Sequence, residues 1–199
     1  APNAKVVTIK NGVASHFFSA QKSPMEGSDD YLGTIIYVGT FTPWDGADEV
    51  VSLASFFPDY RFLMVGDGGK RADLEKHASS NVVFVGRVDY RSLAEVYGEA
   101  DAAIVLYEFE RHKNVELSSL KTLEYVASGL PVFSTDVPGQ EFIKEDKLGY
   151  LVGEGDCYVD AFKVFANNIK KYKNNFGKPE RWIERFGWRR VARRTCEEI

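Results

Sequence analysis

One stretch of the chain reads Glu116-Leu-Ser-Ser-Leu-Lys-Thr-Leu-Glu-Tyr-Val-Ala-Ser-Gly-Leu-Pro-Val132 and carries its own start and stop signals for a helix. Ser118 and Ser119 are both favoured N-cap residues, because their hydroxyls can accept a hydrogen bond from a free amide of the first turn. Gly129 is the residue type that most often follows a helix, and Pro131 cannot continue one. The stretch therefore predicts a short capped helix that runs directly into a strand.

Outside this stretch, short apolar runs rich in β-branched residues alternate with segments of helical period, which is typical of βα units on a parallel sheet. The predicted strands are residues 6–9, 34–38, 61–65, 82–85, 102–106, 132–134 and 150–152. The predicted helices are residues 48–57, 71–78, 91–99 and 119–128, and two amphipathic helices follow residue 157. Residues 19–33 and 170–179 are polar and are predicted to be loops.

This order of elements predicts an α/β domain, a Rossmann-like parallel sheet flanked by helices. The length of 199 residues and the 44% content of apolar residues suit a single globular core. We expect one domain over residues 1–199, with the Rossmann-like core over residues 1–170 and C-terminal helices over residues 171–199.

The charge and hydropathy of the chain exclude two classes of function. The chain has 25 Lys and Arg residues against 29 Asp and Glu residues, a formal net charge of −4, and no long basic block. Nucleic acid is therefore not expected as a partner. The longest apolar run covers only residues 102–107, whereas a membrane-spanning helix needs about twenty residues. We therefore expect no membrane span.

The cysteines and histidines predict neither a disulfide framework nor a zinc site. Cys157 and Cys196 stand far apart without a CxxC spacing, and the three histidines are scattered singly. This use of cysteine favours a reducing, cytoplasmic location.

Ligands of an open parallel sheet bind outside the carboxyl ends of its strands, so the loops that follow strands are candidate binding loops. Glycine-rich segments follow several predicted strands, and their glycines suit either simple turns or a phosphate cradle. Gly66-Asp-Gly68 begins like a dinucleotide fingerprint, but Arg71 stands at the position of the third glycine. In a comparison with the P-loop motif, Met64 stands at the position of the first glycine. A nicotinamide cofactor and a P-loop are therefore not expected.

The helix over residues 119–128 is predicted to carry a carboxylate beside its buried face. At 100° per residue, Leu123 and Ala127 lie within about 60° of Leu120 on one side, and Glu124 lies about 40° away on the other. A buried carboxylate needs hydrogen-bond partners, which protein groups or ligand hydroxyls could supply.

Lys121 falls in the first turn of the same helix, where the helix dipole disfavours a cation by roughly 0.3–1 kcal/mol unless an anion is also bound. One interpretation is a helix end that receives a phosphate, with Glu124 just beyond it. The alternative is a solvated Lys121 and a Glu124 that bonds to a neighbouring backbone group.

With this passage the chain resembles the C-terminal, nucleotide-binding half of a retaining GT-B glycosyltransferase of the group 1 family. Glu116 and Glu124 have the separation of that family's two glutamates, and residues 123–132 resemble its EAMAxGxPV-like passage. Further landmarks follow in the family order over nearly the whole chain, among them Asn11-Gly-Val13, Gly39, Gly46, Val65-Gly-Asp-Gly68, Asp136, Gly139, Glu141 and Phe186-Gly-Trp188.

The resemblance implies a donor-nucleotide-binding domain and a transfer that retains anomeric configuration, without a metal ion or other cofactor. It implies that Glu124 holds the donor ribose, that backbone amides at Ser119 and Leu120 meet the phosphates, and that Glu116 faces the donor sugar as the catalytic residue. The backbone around Val88 would read the base. The other residues predicted to bind the donor are Lys121, Arg87, Gly39, Thr40 and Gly66.

The chain departs from the family at two phosphate-binding positions. Relatives commonly have an arginine and a lysine where this chain has Thr40 and Asp45. The candidate replacements for these cations are Lys121, Arg87, Arg111 and Lys113. A turn role for Asp45 is an alternative. The loss of two cations leaves open a non-catalytic nucleotide-sugar-binding or interaction module. Another GT-B enzyme, a sugar-nucleotide epimerase, is a further alternative.

The resemblance also implies a second half that this sequence lacks. Such enzymes bind the acceptor on an N-terminal domain and react in the cleft between the halves, so that domain and a nucleotide sugar are the expected partners. Contact with the inner face of the cell membrane is expected through that other domain. Four arginines on the last helix could touch anionic lipid or form a solvated helix face: Arg189, Arg190, Arg193 and Arg194.

Overall fold

The computed structural model describes residues 6–20 and 30–198. Its centre is a six-stranded sheet with the strand order β3-β2-β1-β4-β5-β6, and every neighbouring pair of strands is parallel. The strands are β1 (Gly33–Thr40), β2 (Tyr60–Asp67), β3 (Val82–Gly86), β4 (Ala102–Val105), β5 (Val132–Thr135) and β6 (Gly149–Val152). The predicted Rossmann-like fold is confirmed.

Helices connect the strands and close the domain, and a 3-10 helix at Ser15–Ser19 precedes the sheet. The helices that alternate with strands are α1 (Ala47–Ala54), α2 (Arg71–His77), α3 (Leu93–Gly98), α4 (Phe109–His112), α5 (Leu120–Ala127) and α6 (Glu141–Glu145). The last four helices are α7 (Tyr158–Ala166), α8 (Ile169–Lys173), α9 (Pro179–Phe186) and α10 (Trp188–Glu198).

The prediction of a strand at residues 6–9 is wrong. In the part of the chain that the structure describes, these residues pair with no strand, and Val6 is 88% exposed. The edge strands of the sheet are β3 and β6, and the N-terminal segment runs instead along the C-terminal helices, where the Val13 amide donates to the Phe186 carbonyl. A β-branched run becomes a strand only where a neighbouring strand is available to pair with it.

The two predicted loops also differ from the structure. Residues 21–29 lie outside the described residues, and Gly33 already belongs to β1. Residues 170–179 include most of α8, because the Tyr172 ring stacks on Phe165 at a centroid distance of 5.7 Å. The expected boundary at residue 170 falls inside α8, and Trp182 beyond it is buried in the same core as the strands.

The sheet is covered on both faces by apolar side chains, as a parallel sheet requires. Ile36 belongs to the core on one face, whereas Ile35 and Tyr37 belong to the core on the other. Thus β1 is buried from both sides and is held near the middle of the sheet.

The predicted capped helix is α5, and two hydrogen bonds define its start and its contact with the sheet. Ser119 is the N-cap, because its Oγ accepts from the Thr122 amide at 3.3 Å. The Tyr125 hydroxyl accepts from the Val38 amide of β1 at 2.8 Å. Gly129 follows the helix with a left-handed φ of 76°, as its predicted role requires. The Tyr125 bond therefore holds α5 beside the carboxyl end of β1.

Candidate functional site

A cavity of about 570 Å³ opens at the carboxyl end of the sheet, between the loop after β1, the loop after β4 and the start of α5. Six of the residues predicted to bind a donor line it: Gly39, Thr40, Ser119, Leu120, Lys121 and Glu124. Because their backbones belong to β1 and α5, the β1–α5 contact described above brings them together. This cavity is the candidate functional site.

Four other predicted site residues lie outside the lining of this cavity: Glu116, Arg87, Val88 and Gly66. The Glu116 carboxylate forms an ion pair with Lys10 at 2.6 Å, and both side chains are more than half exposed. Arg87 is exposed, and its Nε lies 3.9 Å from the Asp67 carboxylate. Their roles toward a ligand stay predictions.

Glu124 is a buried carboxylate on the wall of the cavity, only 5% exposed. The Tyr97 hydroxyl donates to its Oε2 at 3.2 Å. Burial raises the pKa of Glu124, while the hydroxyls of Tyr90 and Tyr97 and the nearby His16 oppose that rise by favouring the ionised form. Tyr97 is therefore a protein partner of this carboxylate, which still has capacity to accept further hydrogen bonds.

The buried face of α5 is not centred on Leu120, which corrects the helical projection made from the sequence. Leu120 is 43% exposed, whereas Thr122 and all of the following residues to Ala127 are buried. The first turn of α5 extends past the packed core to the mouth of the cavity. Its amides are therefore available there, because the helix offers Leu120 and Lys121 no intrahelical acceptor.

Lys121 is the cation of the cavity. Its Nζ lies 5.4 Å from the centroid of the Tyr37 ring and 5.7 Å from that of Tyr107. Desolvation lowers the pKa of Lys121, and the charge of Asp45 partly offsets this. No carboxylate of the described residues lies within ion-pair distance of Nζ. An aromatic cage attracts the ammonium group but does not neutralise it, so its charge remains available to an anion.

The other candidate replacements for the missing cations do not line the cavity. Arg87 faces Asp67, Lys113 pairs with Glu110 at 2.7 Å, and the Arg111 guanidinium lies 5.2 Å from the centroid of the Trp44 ring. Lys121 alone among the four is placed to meet a ligand in this cavity.

Asp45 has the turn role that the sequence analysis gave as an alternative. Its carboxylate accepts a hydrogen bond from the Thr42 hydroxyl, and its backbone carbonyl accepts from the Tyr37 hydroxyl at 2.8 Å. Gly46 follows with a φ of 73°, and a Cβ there would overlap the Leu106 carbonyl. The turn therefore requires a glycine, and it places Asp45 on the rim of the cavity.

The two aromatic residues around Lys121 were missed from the sequence, because Tyr37 lies within a predicted strand and Tyr107 directly follows one. The Tyr107 hydroxyl also donates to Ser119 Oγ at 2.5 Å, so it helps to hold the N-cap of α5. A tyrosine at the carboxyl end of a predicted strand was the feature of the sequence that could have identified them as site residues.

No group of three or more His, Cys, Asp or Glu side chains in residues 6–20 and 30–198 could hold a metal ion. None of the helices in the same residues is long and apolar enough to span a bilayer. Cys157 and Cys196 are free and exposed.

Comparisons with known proteins place the chain in a family. The profile of the family described as "Glycosyl transferases group 1" matches residues 33–171. The chain is 27% identical over 196 residues to a protein assigned to teichuronic acid biosynthesis, the glycosyltransferase TuaH of Bacillus subtilis (strain 168), covering 92% of this chain and 49% of TuaH. The chain thus spans about half the length of this relative.

Solved structures share the fold. A sucrose-phosphate synthase from Thermosynechococcus elongatus superimposes with a TM-score of 0.75 at 20% identity, covering 99% of this chain and 52% of that one. Anabaena Alr3699/HepE, solved in complex with UDP and glucose, superimposes with a TM-score of 0.72 at 15% identity, covering 95% of this chain and 55% of that one. The sheet and its helices match one half of the GT-B fold, and the chain belongs to the group 1 glycosyl transferase family.

Proposed function

We propose that this chain is the donor-binding half of a retaining glycosyltransferase that takes a hexosyl group from a nucleoside diphosphate sugar. The observation that carries the proposal is the meeting of three groups in one cavity: the buried carboxylate of Glu124, the caged ammonium of Lys121 and the free N-terminal amides of α5. A nucleoside diphosphate has matching chemistry, namely ribose hydroxyls that donate and a diphosphate that needs positive charge.

Each group has one part of the donor to bind. Glu124 accepts hydrogen bonds from the ribose hydroxyls, and the amides at Ser119 and Leu120 donate to the diphosphate. Gly39 and Thr40 border the phosphates at the end of β1. A complex of the structurally similar HepE with UDP and glucose supports a donor of this kind.

The remaining predicted residues take roles around the rim. Glu116 is the catalytic residue that faces the donor sugar, the backbone around Val88 reads the base, and Arg87 and Gly66 lie beside the base and phosphates. Because Glu116 forms an ion pair with Lys10, contact with the donor sugar requires that Glu116 break this ion pair or that both side chains move together.

Lys121 and the helix N-terminus can neutralise a departing diphosphate, so we propose that transfer needs neither a metal ion nor another cofactor. In a retaining transfer the leaving phosphate stays close to the incoming acceptor hydroxyl. The positive groups of α5 would therefore also lie near the point where the acceptor enters.

We propose that the acceptor site belongs to an N-terminal domain beyond these residues, since the chain spans only about half the length of its relative TuaH. We propose that this half binds the donor and that transfer requires the other half. A cytoplasmic location, with membrane contact through that other domain, completes the proposal.

The test is calorimetric titration of the chain with UDP, ADP, GDP and UDP-glucose. We expect at least one nucleoside diphosphate to bind, and Glu124→Ala to weaken it by roughly 1.5–3 kcal/mol, the value of a hydrogen bond to a charged group. Glu95→Ala is the matched control, because Glu95 is an exposed carboxylate on α3 outside the cavity. If no nucleotide binds, or if both variants bind as the unchanged chain does, the proposal fails.

A further inference from the structure

A second cavity of about 310 Å³ lies next to the candidate donor site, between the start of α5, the loop after β5 and the last two helices. We name it the arginine cavity, for Arg185, Arg190 and Arg194, which line it together with Lys10 and Gln140. The proposed function uses none of these five residues, apart from the Lys10 pairing with Glu116.

The arginine cavity is strongly basic. Four basic residues line it, and none of its lining residues is Asp or Glu. Arg185 shares the Asp146 carboxylate with Arg181, and Lys10 pairs with Glu116. Within the described part of the chain, neither Arg190 nor Arg194 has a carboxylate within ion-pair distance. Two guanidinium groups on the wall therefore have no ion-pair partner among residues 6–20 and 30–198.

A buried amide without a partner lies on the same wall. Gln140 is fully buried, and neither its Nε2 nor its Oε1 has a hydrogen-bond partner in the described residues. Its backbone is satisfied, because its amide donates to Val137 at 3.1 Å and its carbonyl accepts from Ile143 at 3.0 Å. Burying an unpaired amide is unfavourable, so a group that bonds to it from the cavity would remove a cost already present in the fold.

The two observations converge on one ligand chemistry. Guanidinium groups bind phosphate and carboxylate through paired, charge-assisted hydrogen bonds, and the Gln140 amide can donate to the same oxygen atoms. We infer that the arginine cavity is a binding site for the phosphate or carboxylate group of a small anionic molecule, held by Arg190, Arg194 and Gln140.

The arginine cavity shares a wall with the candidate donor site. Asn11, Leu117, Ser118 and Ser119 line both cavities. Within this wall, Asn11 donates two hydrogen bonds to Ser118. Its backbone amide donates to Ser118 Oγ at 2.7 Å, and its Nδ2 donates to the Ser118 carbonyl at 2.6 Å. An anion in the arginine cavity would thus sit beside the loop that leads into the N-terminus of α5.

This inference does not depend on the proposed function, because it concerns a different cavity and different ligand-binding residues. Helix α10 also supplies its own control. Arg189 and Arg193 lie on the same helix, are exposed and have the same charge, but they do not line the arginine cavity. Removing either pair of arginines changes the net charge equally, so only a built site distinguishes the two pairs.

The experiment is calorimetric titration of the chain at constant ionic strength with inorganic phosphate, glycerol 3-phosphate and glucuronate. We expect at least one of them to bind with one-to-one stoichiometry, and the double variant Arg190→Gln/Arg194→Gln to lose roughly tenfold or more in affinity. The control double variant Arg189→Gln/Arg193→Gln should change affinity by less than about twofold. Glycerol 3-phosphate and glucuronate separate a phosphate ligand from a carboxylate ligand.

A second variant tests Gln140 separately from folding. Gln140→Leu keeps much of the volume but removes the unpaired amide, so we expect weaker anion binding together with an unchanged or higher melting temperature. If Gln140→Leu does not fold, the difference in anion affinity between the two double arginine variants tests the inference by itself.

Three results would overturn the inference. The first is that none of the three anions binds at millimolar concentration, and the second is that both arginine pairs lower the affinity equally. The third is binding only to vesicles that contain anionic phosphatidylglycerol, with no binding of the small anions, which would make the arginines a lipid-facing surface.

Discussion

The Tyr97 hydroxyl donates a 3.2 Å hydrogen bond to Oε2 of Glu124, and both side chains are almost completely buried. Tyr97 comes from α3 and Glu124 from α5, so this bond joins two helices on one face of the sheet. Because burial raises the pKa of Glu124 while Tyr97 opposes the rise, the bond helps to keep the carboxylate ionised, as the proposed ribose contact requires.

Binding of a nucleotide sugar should weaken on acidification, and it should do so at a higher pH than an ordinary glutamate would cause. Burial raises the pKa of Glu124, and protonation removes an acceptor from the ribose site. The measurement is the affinity for UDP-glucose between about pH 5 and pH 7, since its diphosphate does not titrate there. Tyr97→Phe should move the loss of affinity to higher pH, and a flat profile for the unchanged chain would contradict this assignment.

The same group should affect stability in the opposite direction. A carboxyl whose pKa is raised by folding binds its proton more tightly in the folded chain, so the free energy of unfolding should increase as the pH falls from the raised pKa toward the ordinary glutamate value. Denaturant unfolding of the ligand-free chain and of Glu124→Gln isolates this contribution as a difference between the two. A difference that does not change with pH would show that Glu124 titrates normally.

Lys121 should contribute to binding of the diphosphate and not of the nucleoside. Lys121→Met keeps the aliphatic part of the side chain between Tyr37 and Tyr107 but removes the charge. It should weaken the binding of UDP by roughly 1.5–3 kcal/mol and leave the binding of uridine unchanged. Lys113→Met is the control, because Lys113 pairs with Glu110 outside the cavity. Equal losses for UDP and uridine would argue that Lys121 acts only by holding the cavity open.

Restoring the family's cations should strengthen phosphate binding at the expense of stability. Thr40→Arg combined with Asp45→Lys adds positive charge at the end of β1, so UDP affinity should rise by about tenfold. The melting temperature should fall, because Asp45 would no longer accept from the Thr42 hydroxyl. Unchanged UDP affinity in a folded variant would favour the non-catalytic module, whose cavity no longer holds a diphosphate.

Gly139 should tolerate no side chain. Its φ is 94°, and a Cβ there would overlap the carbonyl of Leu117 in the loop that precedes α5. Gly139→Ala should therefore lower the free energy of unfolding by about 1–3 kcal/mol and weaken nucleotide binding. Gly69→Ala is the control, because a Cβ at Gly69 would meet nothing within 4 Å. Similar stabilities of the two variants would contradict the close approach of the two loops.

The chain alone should bind a nucleotide sugar without transferring it. Transfer requires an acceptor hydroxyl held beside the anomeric carbon, and under the proposed function the groups that hold it belong to the other half, which these 199 residues do not cover. The test incubates the chain with a sugar nucleotide that it binds and a broad mixture of acceptors, following release of nucleoside diphosphate and glycosylated product. Multiple turnovers to an acceptor would show that this half is sufficient.

Local sequence determined the strands of the sheet, the bounds of α5 and part of the site, whereas α4 and α6 were not predicted and four described helices rather than two follow residue 157. The alternating apolar runs predicted the six strands of the sheet, and Ser119 and Gly129 bounded α5, because caps and periodicity depend on a few neighbouring residues. The same locality explains the error at residues 6–9, where a suitable run found no strand to pair with.

Tertiary structure decided which side chains meet. The sequence placed Lys121 in the first turn of a helix, but only the sheet order brings Tyr37 of β1 and Tyr107 after β4 around its ammonium group. Nothing in the sequence indicated that Arg190 would line a cavity with the buried Gln140 and that Arg189 would not. A cap or a period depends on residues a few positions apart, whereas the partners of a buried charge come from elements that are distant in sequence and adjacent only after the sheet has formed.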